Sequence, residues 1–370
     1  LRADTDFGPG RCVRPPLIRG PTIATNRRLV RSRGGDEMNP ILFGLGILLL
    51  AAVVADLLWT TLWVEGGAGP LTSWLMAATW SGFRRVGDRG SRLLTLSGPS
   101  ILVVGLVTWL VLLWAGWTLV FASAEYPLID TVDGSPISWS DRIYYTGYTI
   151  FTLGIGDLVP REGPWQIATT LATASGMLFV TLSVTYVLSV LDAVTQKRSF
   201  ASSVSGLGDQ SDGILRTSWN GEEFDGLALS LNELTSQLNT LTANHKAYPI
   251  LHYFHSGQTE RAPVTSVALL DETLTLLRFG VPERDRPSDT IVRNARASVD
   301  SYLGTLDDAF IDPADRSPPA PSLEPLRDAD VPTVSDGAFD ASVADLRERR
   351  RLLLALVESD VRQWPTAESA

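Results

Sequence analysis

Thr152-Leu153-Gly154-Ile155-Gly156-Asp157 lies between two long apolar segments, directly behind an aromatic run, Ile143-Tyr144-Tyr145-Thr146-Gly147-Tyr148-Thr149-Ile150-Phe151. Its flanks agree in order. Ser138-Trp139-Ser140-Asp141 has the [ST]-x-x-[DE] pattern of a capping box, which predicts a short helix over 141–151. Leu158-Val159-Pro160 turns the chain, and Pro164-Trp165 opens the next apolar segment. The 144–153 stretch is too short to cross a bilayer, which takes ~20 apolar residues. Irregular backbone at membrane depth is tolerated only where it is buried in protein or lines a water-filled path. The pattern therefore predicts a re-entrant helix and loop.

Three other runs are long enough to span: 41–64, 100–122 and 165–190. The fold class expected is an all-α membrane protein: three transmembrane helices, a re-entrant pore helix with its filter loop, and a helical cytoplasmic C-terminal region. The first span contains Val53-Val54-Ala55 before Asp56, a possible cleavage pattern. Its apolar run continues past Asp56, longer than a cleaved signal, so it is read as a true span.

T-x-G-x-G-D behind an aromatic pore helix and between two spans resembles the pore loop of the tetrameric potassium channels, whose usual filter is T-V-G-Y-G-D. The resemblance covers about residues 100–193. It implies a homotetramer in a lipid bilayer, because one chain supplies one loop and a ring of carbonyls needs four. Thr152, Leu153, Gly154, Ile155 and Gly156 become the ion-binding filter, with potassium as the permeant ion and no other metal or cofactor. Filter carbonyls replace the water shell of a dehydrated cation. They can share one axis only if the backbone alternates with left-handed residues, which Gly154 and Gly156 permit. Asp157 would brace the outer mouth and concentrate cations there. Gly176 sits where the family has a glycine that lets the inner helix bend, although a glycine there also serves close packing. Ile155 replaces the usual Tyr, Leu153 the usual Val, and Phe151 a common Thr. A hydrogen-bonded cuff around the filter is therefore lost at Ile155, and a weakly selective cation channel is the alternative. A non-conducting membrane sensor or scaffold is the alternative of another class.

The chain has 370 residues and a net charge of −10, and only Lys197 and Lys246 among its 31 basic residues are lysines. The acid excess argues against nucleic-acid binding. The single cysteine, Cys12, excludes an intrachain disulfide or a cysteine metal site. Residues 1–37 have no hydrophobic period and are read as a disordered or non-native N-terminal extension. Arg84, Arg85, Arg89 and Arg92 in the 65–98 loop, and Lys197 and Arg198 after the third span, mark a cytoplasmic side of the plasma membrane. Glu125, Asp130 and Asp133 mark the external side, with the filter mouth.

Beyond Arg198, the Ser- and Gly-rich stretch 199–213 reads as a connector or weak helix. Helical spacing follows over 227–242, 264–279 and 288–310. Residues 312–336, rich in Pro and Asp, read as an extended linker, and 338–361 as one amphipathic helix. These divide the chain at 38–98, 99–198, 199–310, 311–337 and 338–370. No strand pattern is long enough to build a sheet.

Asp56 lies inside the first span, where a carboxylate costs about 2.5–3.5 kcal/mol on insertion scales, so a structural partner is expected. His245, His252 and His255 fall in one window, with His252 and His255 spaced to share a helix face. A metal site or pH sensor is conceivable, and packing is preferred. Gly206-Leu207-Gly208 lacks the strand and third glycine of a nucleotide-binding turn, and no arginine-rich voltage helix precedes the pore. No catalytic triad or phosphate loop appears, so no enzyme is expected. A cytoplasmic regulator of the C-terminal region is left open.

Overall fold

The computed structural model describes residues 38–63, 67–86, 92–256, 262–307, 312–360 and 362–365. The proposed extension 1–37, Arg89 of the first loop and the end of the 288–310 helix lie outside these. Among the described residues, three helices are long and apolar enough to span a membrane, as the sequence predicts. α1 (Pro40–Leu62) begins with Asn39, whose side chain accepts from the amides of Ile41 and Leu42.

The 65–98 segment is more than a loop. It carries α2 (Pro70–Val86) and the single turn α3 (Arg92–Thr95) before α4 (Ser97–Ala122). The N-terminus of α2 is capped from a distance. Asp56 of α1 accepts from the Leu71 amide at 2.9 Å, the Thr72 amide at 3.4 Å, the Thr72 hydroxyl at 2.5 Å and the Trp109 indole at 2.9 Å. Thr60 accepts from the Gly69 amide. The expected structural partner of Asp56 is thus a helix terminus, whose first amides are otherwise orphaned. Asp56 lies ~24 Å along α1, near one face of a ~30 Å hydrocarbon core.

α1 and α4 run antiparallel, with the Asn39 amide donating to the Ser123 carbonyl at 2.6 Å. They cross closely, because a Cβ on Gly46 would sit 2.9 Å from the Gly116 carbonyl; small residues of this kind let membrane helices approach. After α4 come strand β1 (Leu128–Asp130), the pore helix α5 (Trp139–Ile150) and strand β2 (Leu158–Pro160). The strands pair antiparallel, Leu128 opposite Pro160. Three-residue strands leave too short an alternation to be read from sequence.

α6 (Pro164–Leu207) is one unbroken helix of 44 residues, ~66 Å long, about twice the hydrocarbon thickness. The connector expected over 199–213 is therefore mostly helix. Phe200, Ala201 and Val204 form a buried stripe at helical spacing, and this burial overrides the weak Ser and Gly propensities. Residues 191–207 thus project past the span and enter the core of a second, helical unit.

That unit comprises α7 (Ser211–Ser218), α8 (Leu227–Ala247), a 3₁₀ turn (Pro249–Tyr253), α9 (Pro263–Thr275) with a π turn at Leu276–Gly280, and α10 (Asp289–Asp307). It is completed by α11 (Glu324–Asp328), α12 (Asp336–Asp345) and α13 (Arg347–Ser359). Leu231, Leu238, Leu274, Val299 and Leu356 are among its fully buried core. Two expectations are corrected here. The last helix is broken at Leu346, and the 312–336 stretch is strapped down rather than free. Arg350 donates to the Pro319 carbonyl at 2.6 Å and Arg351 to the Ala314 carbonyl at 2.5 Å, while Leu323 and Leu326 are buried. The mid-helix arginines also form buried pairs, Arg349 with Asp271 at 2.5 Å and Arg350 with Glu272 at 2.8 Å.

Candidate functional site

The pore helix begins as its sequence predicts. The Ser138 hydroxyl accepts from the Asp141 amide, and the Asp141 carboxylate accepts from the Ser138 amide at 2.8 Å. Its body is held from both sides. The Trp114 indole of α4 donates to the Ile143 carbonyl at 2.8 Å, and the Tyr145 hydroxyl bonds Thr169 of α6 at 2.6 Å. Its C-terminal end meets α6 at Gly176, where a Cβ would collide with the Ile150 carbonyl oxygen. Close approach is therefore the role the structure gives Gly176, and α6 runs through it without a break. Gly176→Ala should push the pore helix off α6 and lower stability by about 1–3 kcal/mol. Thermal unfolding in lipid or detergent measures this, and an unchanged midpoint would contradict the contact.

From Phe151 the chain leaves the helix. Thr152 (φ 59°), Gly154 (φ 57°) and Gly156 (φ 88°) are all left-handed. Every second residue is inverted, the alternation that turns successive carbonyls to one side. Thr152 is the unforeseen member. For a β-branched residue this conformation costs about 1–2 kcal/mol, and its amide is held by the Thr149 carbonyl at 3.1 Å. The Leu153 amide donates to the Tyr148 carbonyl at 2.8 Å. Among the described residues, no hydrogen bond ends on the carbonyls of Thr152, Leu153, Gly154 or Ile155. The Gly156 carbonyl differs, accepting from the Thr131 hydroxyl at 2.9 Å. The side chains of Leu153 and Ile155 are 65% and 53% exposed on the protomer.

Tyr148, which the sequence reading passed over, anchors the far end. Its hydroxyl donates to the Leu158 carbonyl at 2.6 Å, and the Tyr144 ring packs edge-on to it with ring centres 5.1 Å apart. Asp157 accepts from the Leu158 amide at 2.8 Å, so it braces the exit from the loop. The signal was present in the aromatic spacing, but the partner of Tyr148 lies across a loop that periodicity does not describe. The β1–β2 ribbon adds the Thr131 amide, which donates to the Asp157 carbonyl.

The three histidines do not form one group, although His245 and His252 line the same small space. His245 sits on α8, edge-on to Tyr302; His252 lies on the 3₁₀ turn; His255 follows it and pairs with Asp360 at 2.8 Å. His252 and His255 thus share no helix. Among the described residues, no group of three or more His, Cys, Asp or Glu side chains is placed to hold a metal ion.

Two spanning helices that bracket a re-entrant helix, with an alternating-handed loop at its C-terminus, define a pore-loop membrane protein. The comparisons with known proteins agree. The chain belongs to the ion channel family: the family model described as an ion channel matches residues 105–193. The chain is also 44% identical over 325 residues to YdjJ of Bacillus subtilis (strain 168), described as an uncharacterized membrane protein. That alignment covers 88% of this chain and 95% of the relative. No solved structure matches.

Proposed function

We propose that the chain assembles as a homotetramer and conducts potassium through the Thr152–Gly156 loops of four protomers. The observation that carries this is the left-handed alternation at 152, 154 and 156, with the 152–155 carbonyls unpartnered among the described residues. Carbonyls so presented can replace a cation's hydration shell only as a ring. The exposed Leu153 and Ile155 side chains supply apolar surface for the neighbouring protomer. The C-terminus of α5 points its partial negative charge at the same place.

Orientation follows from charge. Arg84, Arg85, Lys197 and Arg198 lie at the end of the membrane unit that carries the C-terminal helices, and Glu125, Asp130 and Asp133 at the filter end. By the positive-inside rule the C-terminal unit is cytoplasmic and the filter mouth external, in the plasma membrane.

A weakly selective cation pore is the second reading, favoured by Ile155, which has no hydroxyl to tie the loop. Tyr148 supplies a hydrogen bond only at the loop's exit. The test is the reversal potential of the reconstituted protein in mixed potassium and sodium. It should follow the potassium gradient. A reversal that follows both ions equally supports the weakly selective pore, and absence of current overturns both readings.

A further inference from the structure

Residues 249–256 touch α2, α4 and α6 at the C-terminal end of the membrane unit. The Ser97 hydroxyl at the start of α4 donates to the Tyr253 carbonyl at 2.8 Å. The Phe254 ring lies so close over Gly98 that a Cβ there would come within 2.5 Å of it. Tyr253 packs on Trp80 of α2 with ring centres 5.8 Å apart. From α6, the Lys197 ammonium donates to the Leu251 carbonyl at 2.8 Å and the Phe254 carbonyl at 3.2 Å. On the other side, His255 and Arg362 pair with Asp360 at 2.8 and 2.9 Å, and Arg362 also bonds the Ser256 carbonyl. The segment is thus gripped by the pore-lining helix, the outer helix and the last residues of the C-terminal unit together.

Lys197 is buried, and the two acceptors it reaches are neutral. A small enclosed space beside it is lined by Trp80 of α2, His245 of α8, His252 of the turn, Tyr302 of α10, and Ser359 and Asp360 after α13. Arg198 and Arg362 are the other cations that act on it. We propose that residues 249–256 couple the C-terminal unit to the pore, with Lys197 as a proton-dependent clasp that fastens the end of α6 to them. This rests on the conducting-channel reading above.

Burial pulls Lys197 down from 10.5 to about 8, with Asp360 opposing and Arg198 and Arg362 assisting the fall. His245 and His252 stay neutral through that range. Burial and the Lys197 charge hold His245 far below its usual value and His252 at about 4. Burial pushes Tyr253 and Tyr302 upward. The sign follows from the two states. A released Lys197 regains its ordinary value, so between pH ~8 and ~10.5 the released state holds one more proton. Losing that proton favours the clasped state, about tenfold per pH unit across the window. Below pH ~8 the ratio levels off at its minimum.

The experiment uses the full chain in liposomes, with the pH varied on the C-terminal side. Amide-exchange protection of residues 251–256, corrected for intrinsic chemistry, should rise about tenfold per unit above pH 8. Single-channel open probability should change through the same window while the reversal potential stays fixed. In Lys197→Met both responses should be flat. Asp360→Asn, which removes the opposing charge, should move the window to lower pH and decides the matter if the Met variant does not fold. Protection that titrates identically in wild type and Lys197→Met overturns the clasp. Protection that titrates while open probability does not overturns the coupling. If the wild type carries no current, the channel reading fails, and the protection profile still decides the clasp.

Discussion

Gly154→Ala is expected to abolish potassium flux while leaving the tetramer assembled. The reason is conformational rather than steric. No atom lies within 4 Å of where the new Cβ would stand, but the backbone there has φ 57°. A left-handed alanine costs about 1–2 kcal/mol. In the proposed tetramer four loops share one ion path, so the penalties add to about 4 kcal/mol or more, roughly a thousandfold loss of rings with all carbonyls aligned. Thr152 already holds the same handedness without being glycine, so the loop has little tolerance for another such residue. Fluorescence flux in liposomes reads the loss, and cross-linking reads the assembly. Flux at the wild-type rate would remove Gly154 from the conduction path.

Asp56→Ala should be the most damaging change outside the filter. The carboxylate receives two amides of the first turn of α2, the Thr72 hydroxyl and the Trp109 indole. The hydroxyl can turn elsewhere. The other three donors stay in place, and each buried orphan costs about 1–3 kcal/mol. A loss of roughly 3–9 kcal/mol follows, with α2 detached from α1 and α4. Asp56→Asn keeps two acceptor lone pairs and should recover part of it. Unfolding in lipid compares the three chains, and an alanine variant as stable as the parent would refute the cap.

Much of the membrane unit was legible because its signals are local. The capping box at Ser138 and Asp141, the three apolar runs and the glycine spacing of the filter each state their structure within one continuous stretch of chain. α2 was not legible. Its cap comes from Asp56 on another helix, and its buried face, Thr72 and Met76, is too sparse to stand out. The extension of α6 through Ser199–Leu207 was hidden because serine and glycine argue for a connector. The core supplied by α8 and α9 argues otherwise, and only the fold shows that core. The 312–336 stretch looked like a linker because its restraints are arginine side chains bonded to backbone carbonyls, a contact without periodicity. Within the site, the left-handed backbone at Thr152 and the Tyr148 anchor were missed for a related reason: each depends on where a loop returns.

The unbroken α6 has a mechanical meaning. A rod ~66 Å long cannot flex where it leaves the lipid, so it works as a lever. From Gly176 to Leu207 is ~46 Å, and a tilt of about 5° about the glycine would sweep the far tip through ~4 Å. Run in reverse, a shift of a few ångströms among the soluble helices becomes a small rotation beside Ile150, the last residue of the pore helix. Distance, in this molecule, is a means of fine adjustment.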